Sequence, residues 1–171
     1  MSRTTGLKGK QFKLDGPELK AGDKAPDFTL QEKTESGLND VTLGDFAGKT
    51  LLLSVLPSLD TPVCAIQTKT FNEKASQLPD DVAILTVSTD LPFAQGRFCG
   101  AEGIDKIRSA SDHRDVNFGK AYGVLISEGP LTRVLSRAIF VVGPDGVLKH
   151  VEYVPEVPEH PNYDAALGAV A

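Results

Sequence analysis

The segment Thr50-Leu51-Leu52-Leu53-Ser54-Val55-Leu56 is a nearly unbroken apolar run that stops at Pro57. It is far shorter than the roughly 20 residues needed to cross a bilayer, and it lacks the polar alternation of a strand with one wet face. It fits a strand covered on both faces, which requires further layers above and below a sheet. The chain supplies a cover at once. After a polar loop at 58–60, Ile66, Thr70 and Leu78, with Phe71 and Ala75, recur at helical spacing and predict a helix over 61–78. Pro62, Val63 and Cys64 fall in its first turn, where a proline is tolerated.

The same logic extends along the chain. A second buried strand is expected over 82–87 and a short helix over 91–99, opened by Asp90 and Pro92. Another short helix is expected over 117–122. The apolar stretches 137–142 and 147–151 flank Gly143-Pro144-Asp145-Gly146 and predict a hairpin, and a helix over 163–170 closes the chain. Near the N-terminus, 6–16 suits a small, exposed and peripheral hairpin about Gly9, and 28–30 and 41–43 are short strands separated by a polar loop over 31–40. Strand, helix, strand, helix, hairpin and helix in that order imply an α/β domain with a mixed central sheet flanked by helices and an N-terminal β-hairpin. With 171 residues and no linker-like stretch, one domain over 1–171 is expected.

Composition narrows the function. The net charge is −5, with the basic residues scattered, so a nucleic-acid partner is not expected. No stretch is apolar for long enough to span a membrane. Residues 1–11 carry Arg3, Lys8 and Lys10 without an apolar stretch, so no secretory signal is expected and a cytoplasmic location is the simplest inference. Only Cys64 and Cys99 are cysteines, too few for the disulfide framework of a small secreted domain. His113, His150 and His160 sit at no ligand spacing from one another or from the cysteines, so neither a metal nor another cofactor is expected.

Chemistry concentrates at Pro57-Ser58-Leu59-Asp60-Thr61-Pro62-Val63-Cys64, where a buried strand gives way to a helix. In an open α/β sheet, sites form at the carboxyl ends of strands. A cysteine in a helix's first turn feels the partial positive charge of unpaired N–H groups, which favours the thiolate. Thr61 lies one turn before Cys64, within reach of the sulfur or of an oxygen beside it, and Pro57 would shape the loop and screen the sulfur from water. Taken singly, these residues have plainer roles. A lone cysteine is more often a small buried hydrophobe, Cys64 and Cys99 could form a static disulfide, and arginine at a position such as Arg137 is mostly exposed. Phe93 and Phe98 are expected to pack the short helix, with an apolar wall for substrate or reductant as the alternative.

The spacing Pro57-x-x-x-Thr61-x-x-Cys64 resembles the signature of the peroxiredoxins, with Cys64 at the place of the peroxidatic cysteine. The block from Asp90 to Gly103 resembles the atypical two-cysteine, thiol peroxidase subfamily, which puts Cys99 in the resolving role. Leu135 to Val142 resembles the strand that presents the family's active-site arginine, here Arg137. The resemblance implies a thioredoxin-like fold, antioxidant reduction of hydrogen peroxide and organic hydroperoxides, an intramolecular Cys64–Cys99 disulfide, recycling by thioredoxin, and a homodimer. A thiol–disulfide oxidoreductase of the same fold would carry Cys-x-x-Cys where this chain has Thr61-x-x-Cys64. A redox sensor or regulatory binding protein switched by Cys64 oxidation stays open as a second function.

Acidity alone cannot make such a peroxidase fast. Lowering a thiol's pKa from about 8.5 to about 6 raises its thiolate fraction at pH 7 roughly 30-fold, while the accompanying loss of nucleophilicity costs roughly 10-fold. Most of the acceleration must come from groups that act on the peroxide as its O–O bond breaks, for which Arg137, Thr61 and the backbone N–H groups near Cys64 are the candidates. The two cysteines stand on different helices, so closing a disulfide is expected to unwind both segments in part.

Overall fold

The computed structural model describes residues 3–170, so Met1, Ser2 and Ala171 of the expected 1–171 unit lie outside the described residues. Strands β1 (Thr4–Leu7) and β2 (Lys10–Asp15) form the expected hairpin, turning through Lys8 and Gly9 at φ of 51° and 78°, a geometry that matches strand twist. There follow β3 (Thr29–Thr34), β4 (Gly37–Thr42), a 3-10 turn at Leu43–Phe46, β5 (Thr50–Val55), α1 (Pro62–Ala75), β6 (Val82–Ser88) and α2 (Pro92–Glu102). The chain continues through β7 (Arg108–Ser111), α3 (Asn117–Tyr122), β8 (Leu125–Ile126), β9 (Ala138–Val142), β10 (Leu148–Tyr153) and α4 (Tyr163–Ala169).

The main sheet runs β10-β9-β5-β6-β7-β3-β4, and β1-β2-β8 form a smaller one. Strands β5, β6 and β7 are parallel, as crossovers through α1 and α2 dictate, while β9, β10, β3 and β4 join antiparallel. This is the mixed, helix-flanked sheet of a thioredoxin-like fold. Every residue of β5 is buried, and its side chains alternate between two cores. Leu51, Leu53 and Val55 join Phe28, Phe118, Tyr122 and Phe140 on one face, whereas Leu52 joins Phe71 of α1 and Ala166 of α4 on the other. The first core is aromatic, with the Phe118 and Tyr122 rings stacked 4.2 Å apart and Phe140 edge-on to both.

Three local expectations are corrected. Residues 31–40 are a hairpin and not a loop, paired from Thr29↔Thr42 through Thr34↔Gly37. They lie at the sheet edge, where of β4 only Val41 is buried, so no apolar pattern marks the strands. Strands β7 and β8 went unread because the first is mostly polar and the second only two residues long. Asp90 does not cap α2, whose N-cap Leu91 has no side-chain bond to offer; its carboxylate faces the Cys64 loop instead.

Helix α3 has an unusual start. Its N-cap, Val116, stands at φ 50°, strained for a β-branched residue, and cannot accept a hydrogen bond through its side chain. The buried carboxylate of Asp112 serves in its place, accepting from Phe118 N at 3.1 Å and Gly119 N at 2.8 Å. Burial dominates those bonds and pushes its pKa up to about 6. The folded pKa lies above the unfolded one, so this group favours the fold below about pH 4, and that contribution is lost as pH rises through about 6. Asp112→Asn is expected to flatten the stability profile between those limits by on the order of 2–3 kcal/mol relative to the parent. Urea midpoints at pH 4, 5.5 and 7 test this; parallel profiles for the two proteins would refute it.

Candidate active site

Cys64 is the third residue of α1 and is fully buried, at 0% exposure. The side chain that meets it comes from the far side of β5. Along β9, Ala138, Phe140 and Val142 face the aromatic core, while Ile139 and Val141 face α1 and α4. Arg137, one residue before β9, shares the parity of Ile139 and Val141 and so points under α1. Val55 pairs with Ala138 across the sheet, which sets Arg137 at the carboxyl end of β5, where the chain turns toward Cys64.

Arg137 is 1% exposed, and its planar fork is almost wholly engaged. Nη2 donates to Cys64 Sγ at 3.3 Å and to the Val157 carbonyl at 2.7 Å. Nε donates to the same carbonyl at 3.2 Å, and Nη1 to Gln67 Oε1 at 2.8 Å. Gln67 is in turn held by its amide, which donates to Ser54 Oγ at 2.7 Å. All partners but the sulfur are neutral oxygens; among the described residues no carboxylate pairs with this buried cation. Sequence reasoning missed Gln67 and Val157. The i, i+3 spacing of Gln67 from Cys64 is a usable signal, whereas a backbone carbonyl on a distant loop leaves none.

Pro57 is buried just past the end of β5. Thr61 departs from expectation in detail. It is exposed, and its hydroxyl donates to the Ser58 carbonyl at 2.9 Å rather than to the sulfur. Both residues line a pocket of about 290 Å³ that also takes in Leu7, Val134, Arg137 and Pro158 and is walled mainly by apolar side chains. Leu7 shows that the N-terminal hairpin is not peripheral. Gly6 N donates to Pro155 O and Gly6 O accepts from Val157 N, each at 2.8 Å, so the hairpin pins the segment whose carbonyl holds Arg137. The pairing is close enough that a Cβ on Gly6 would overlap the Glu156 carboxylate.

Cys99 lies in α2, half-buried, with Sγ 3.5 Å from Ser109 Oγ on β7. Burial pushes its thiol pKa up, opposed by the Ser109 contact. Both cysteines are free thiols. Phe98, not its neighbour Cys99, packs against the small cluster of Leu56, Leu59 and Cys64, while Phe93 is exposed. His113 bonds Gln31 at 2.7 Å and His160 bonds Tyr163 at 2.8 Å, both away from the cysteines. Among the described residues, no helix is long and apolar enough to cross a membrane.

A thioredoxin-like sheet with a cysteine at the head of the helix after its central strand defines a class of thiol enzymes. Comparison with known proteins agrees. A family model described as Redoxin matches residues 20–167. Thiol peroxidases of Listeria innocua and Bacillus subtilis are 51% and 48% identical, over 91% and 95% of this chain and 90% and 93% of their own. The crystal structure of a peroxiredoxin-like protein from Aquifex aeolicus, 42% identical, superposes with a TM-score of 0.91 over 99% of this chain and 96% of that one. The chain belongs to the Redoxin family and is a peroxidase of the peroxiredoxin type.

Gln67→Leu preserves bulk but leaves Arg137 Nη1 without its acceptor. The expected result is a loss of about 1–3 kcal/mol in stability and a roughly tenfold slower reaction of reduced protein with hydroperoxide. Chemical denaturation and stopped-flow kinetics measure the two. A stable variant with parental kinetics would show that Gln67 does not position Arg137.

Proposed function

We propose that Cys64 is the peroxidatic nucleophile of a thioredoxin-dependent peroxidase and Cys99 its resolving partner. The observation that supports this most directly is the 3.3 Å contact between Arg137 Nη2 and Cys64 Sγ in a fully buried setting. A guanidinium there without a carboxylate is costly, and a thiolate at Cys64 supplies the counter-charge.

In this mechanism the Cys64 thiolate attacks the terminal oxygen of ROOH, the O–O bond breaks, and RO⁻ leaves and becomes ROH by taking from solvent the equivalent of the proton that the thiol lost. Cys64 becomes a sulfenic acid. Arg137 offers charge-assisted donors to the sulfur and to the oxygen that gains charge, so its effect is greatest in the transition state. Thr61 has its own proton committed to Ser58, which leaves its oxygen as an acceptor for a peroxide O–H and orients the substrate in line. The N–H groups of Val63 and Cys64, in the first turn of α1, have no acceptor within the helix and add to the positive end of the site. Apolar walls at Leu7, Val134 and Pro158 fit an organic hydroperoxide as well as hydrogen peroxide.

Resolution joins the Cys99 sulfur to Cys64, releases the sulfenic oxygen as water and leaves a disulfide, which the dithiol of thioredoxin reduces. Partial burial raises the pKa of the Cys99 thiol, so unwinding of its segment both brings the sulfurs together and makes the thiol easier to ionise. The resemblance further supports a homodimer working in the cytoplasm, with the whole chain as one domain.

Stopped-flow consumption of hydroperoxide by the reduced protein tests the assignment. A burst of one equivalent is expected, abolished in Cys64→Ser. Cys99→Ser should retain the burst and lose turnover with thioredoxin and its reductase. A burst that survives in Cys64→Ser, or none in the parent, would refute the proposal.

A further inference from the structure

The proposed cycle asks two opposed things of the loop before Cys64: to hold still while peroxide reacts, and to let go while the disulfide closes. One side chain outside the Cys64–Arg137 cluster joins that loop to the segment carrying Cys99. The Asp90 carboxylate accepts from Ser58 Oγ at 2.7 Å and from Leu59 N at 2.8 Å, both in the Cys64 loop, and from Ser88 Oγ at 2.8 Å at the end of β6. The Asp90 main chain is tied down too. Its carbonyl accepts from Ser111 Oγ, and its N–H donates to Ser88 Oγ at 3.3 Å. Ser88 Oγ also accepts from the buried amide of Gln95, inside α2.

Asp90 stands where a helix cap is expected, yet it caps nothing in α2. Its carboxylate is spent instead on a neighbouring loop 31 residues away in sequence. A carboxylate with three donors forms charge-assisted bonds roughly twice as strong as neutral ones. Leu59, whose N–H it holds, is buried against Cys64 and Leu56, with Phe98 of α2 completing the cluster. Loop and helix are therefore joined at one end by Asp90 and at the other by Phe98.

We infer that Asp90 is a positioning residue that latches the Ser58–Leu59 loop in its peroxide-reactive form, and that breaking this latch gates Cys64–Cys99 disulfide formation. The inference rests on the cysteine cycle proposed above. It has an asymmetric kinetic consequence. While the latched loop dominates, a tenfold larger opening constant raises the opened population about tenfold but lowers the latched one by only about a tenth. Weakening the latch should thus speed resolution while hardly touching peroxide attack. General loss of structure around Cys64 would slow attack and accelerate nothing.

The test is Asp90→Asn, which keeps the shape but removes the charge, with Ser58→Ala, which removes one donor to Asp90, along with the long 3.3 Å bond from Asp60 N–H, and leaves the bonds to Leu59 and Ser88. Reduced protein is mixed with one equivalent of hydroperoxide, quenched with a thiol-blocking reagent, and assayed by mass spectrometry for sulfenic acid and disulfide. For Asp90→Asn, disulfide closure is expected to be roughly tenfold faster and peroxide consumption to stay within about twofold of the parent. Sulfinic acid at Cys64 under excess peroxide should fall accordingly, because closure competes with the second oxidation. Ser58→Ala should move the same way by a smaller factor, and it carries the test if Asp90→Asn folds poorly. Closure unchanged or slower in both variants overturns the latch. A parent that forms sulfenic acid but no Cys64–Cys99 disulfide overturns the cycle, and the latch with it.

Discussion

A buried arginine organises this structure. Desolvating a guanidinium costs several kcal/mol unless its donors are met, and Arg137 meets them with parts drawn from all over the chain. Gln67 comes from α1, the Val157 carbonyl from the segment after β10, and Cys64 from the helix's first turn. Each partner needs its own support. Gln67 depends on Ser54 of the central strand, and Val157 on Gly6 of the N-terminal hairpin. Parts that look independent in the chain are thus bound to one side chain, whose position depends on the parity of β9 and its pairing with β5.

The neutrality of that cluster bears on the chemistry. A carboxylate beside Arg137 would satisfy the cation and blunt its effect on the sulfur. Neutral oxygens satisfy the donors and leave the charge available. The guanidinium then faces Cys64 as its one sulfur partner, beside a pocket lined by Pro57 and other apolar side chains, which under the proposed mechanism leaves its field to act on the reacting atoms. This matches the requirement that thiol acidity by itself gains little rate.

The two thiols are kept in unlike surroundings. Cys64 meets a cation, while Cys99 meets a neutral hydroxyl and has its thiol pKa pushed up by burial. Phe98 packs against the Cys64 cluster from α2, and Asp90 ties the Ser58–Leu59 loop to the end of β6. In the proposed cycle these are the contacts that resolution would have to break.

Much was legible in the sequence because burial writes itself into residue type. The Thr50–Leu56 run, the helical spacing after it and the apolar stretch from Ala138 identify the central strands and α1, and the spacing of Pro57, Thr61 and Cys64 marks the site. The edge hairpin over residues 29–42 was illegible because solvent-facing strands need no apolar pattern, and β8 because two residues carry none. Within the site, the sequence by itself singled out Pro57, Thr61, Cys64 and Arg137, which the structure brings together. Only the tertiary structure decided how they are held: Thr61 on Ser58, Arg137 on Gln67 and Val157, Asp90 on the Cys64 loop, and Leu7 in the pocket wall. Hydrogen bonds between segments far apart in sequence depend on direction and distance in space, and residue type leaves those unspecified until the sheet has brought the segments together.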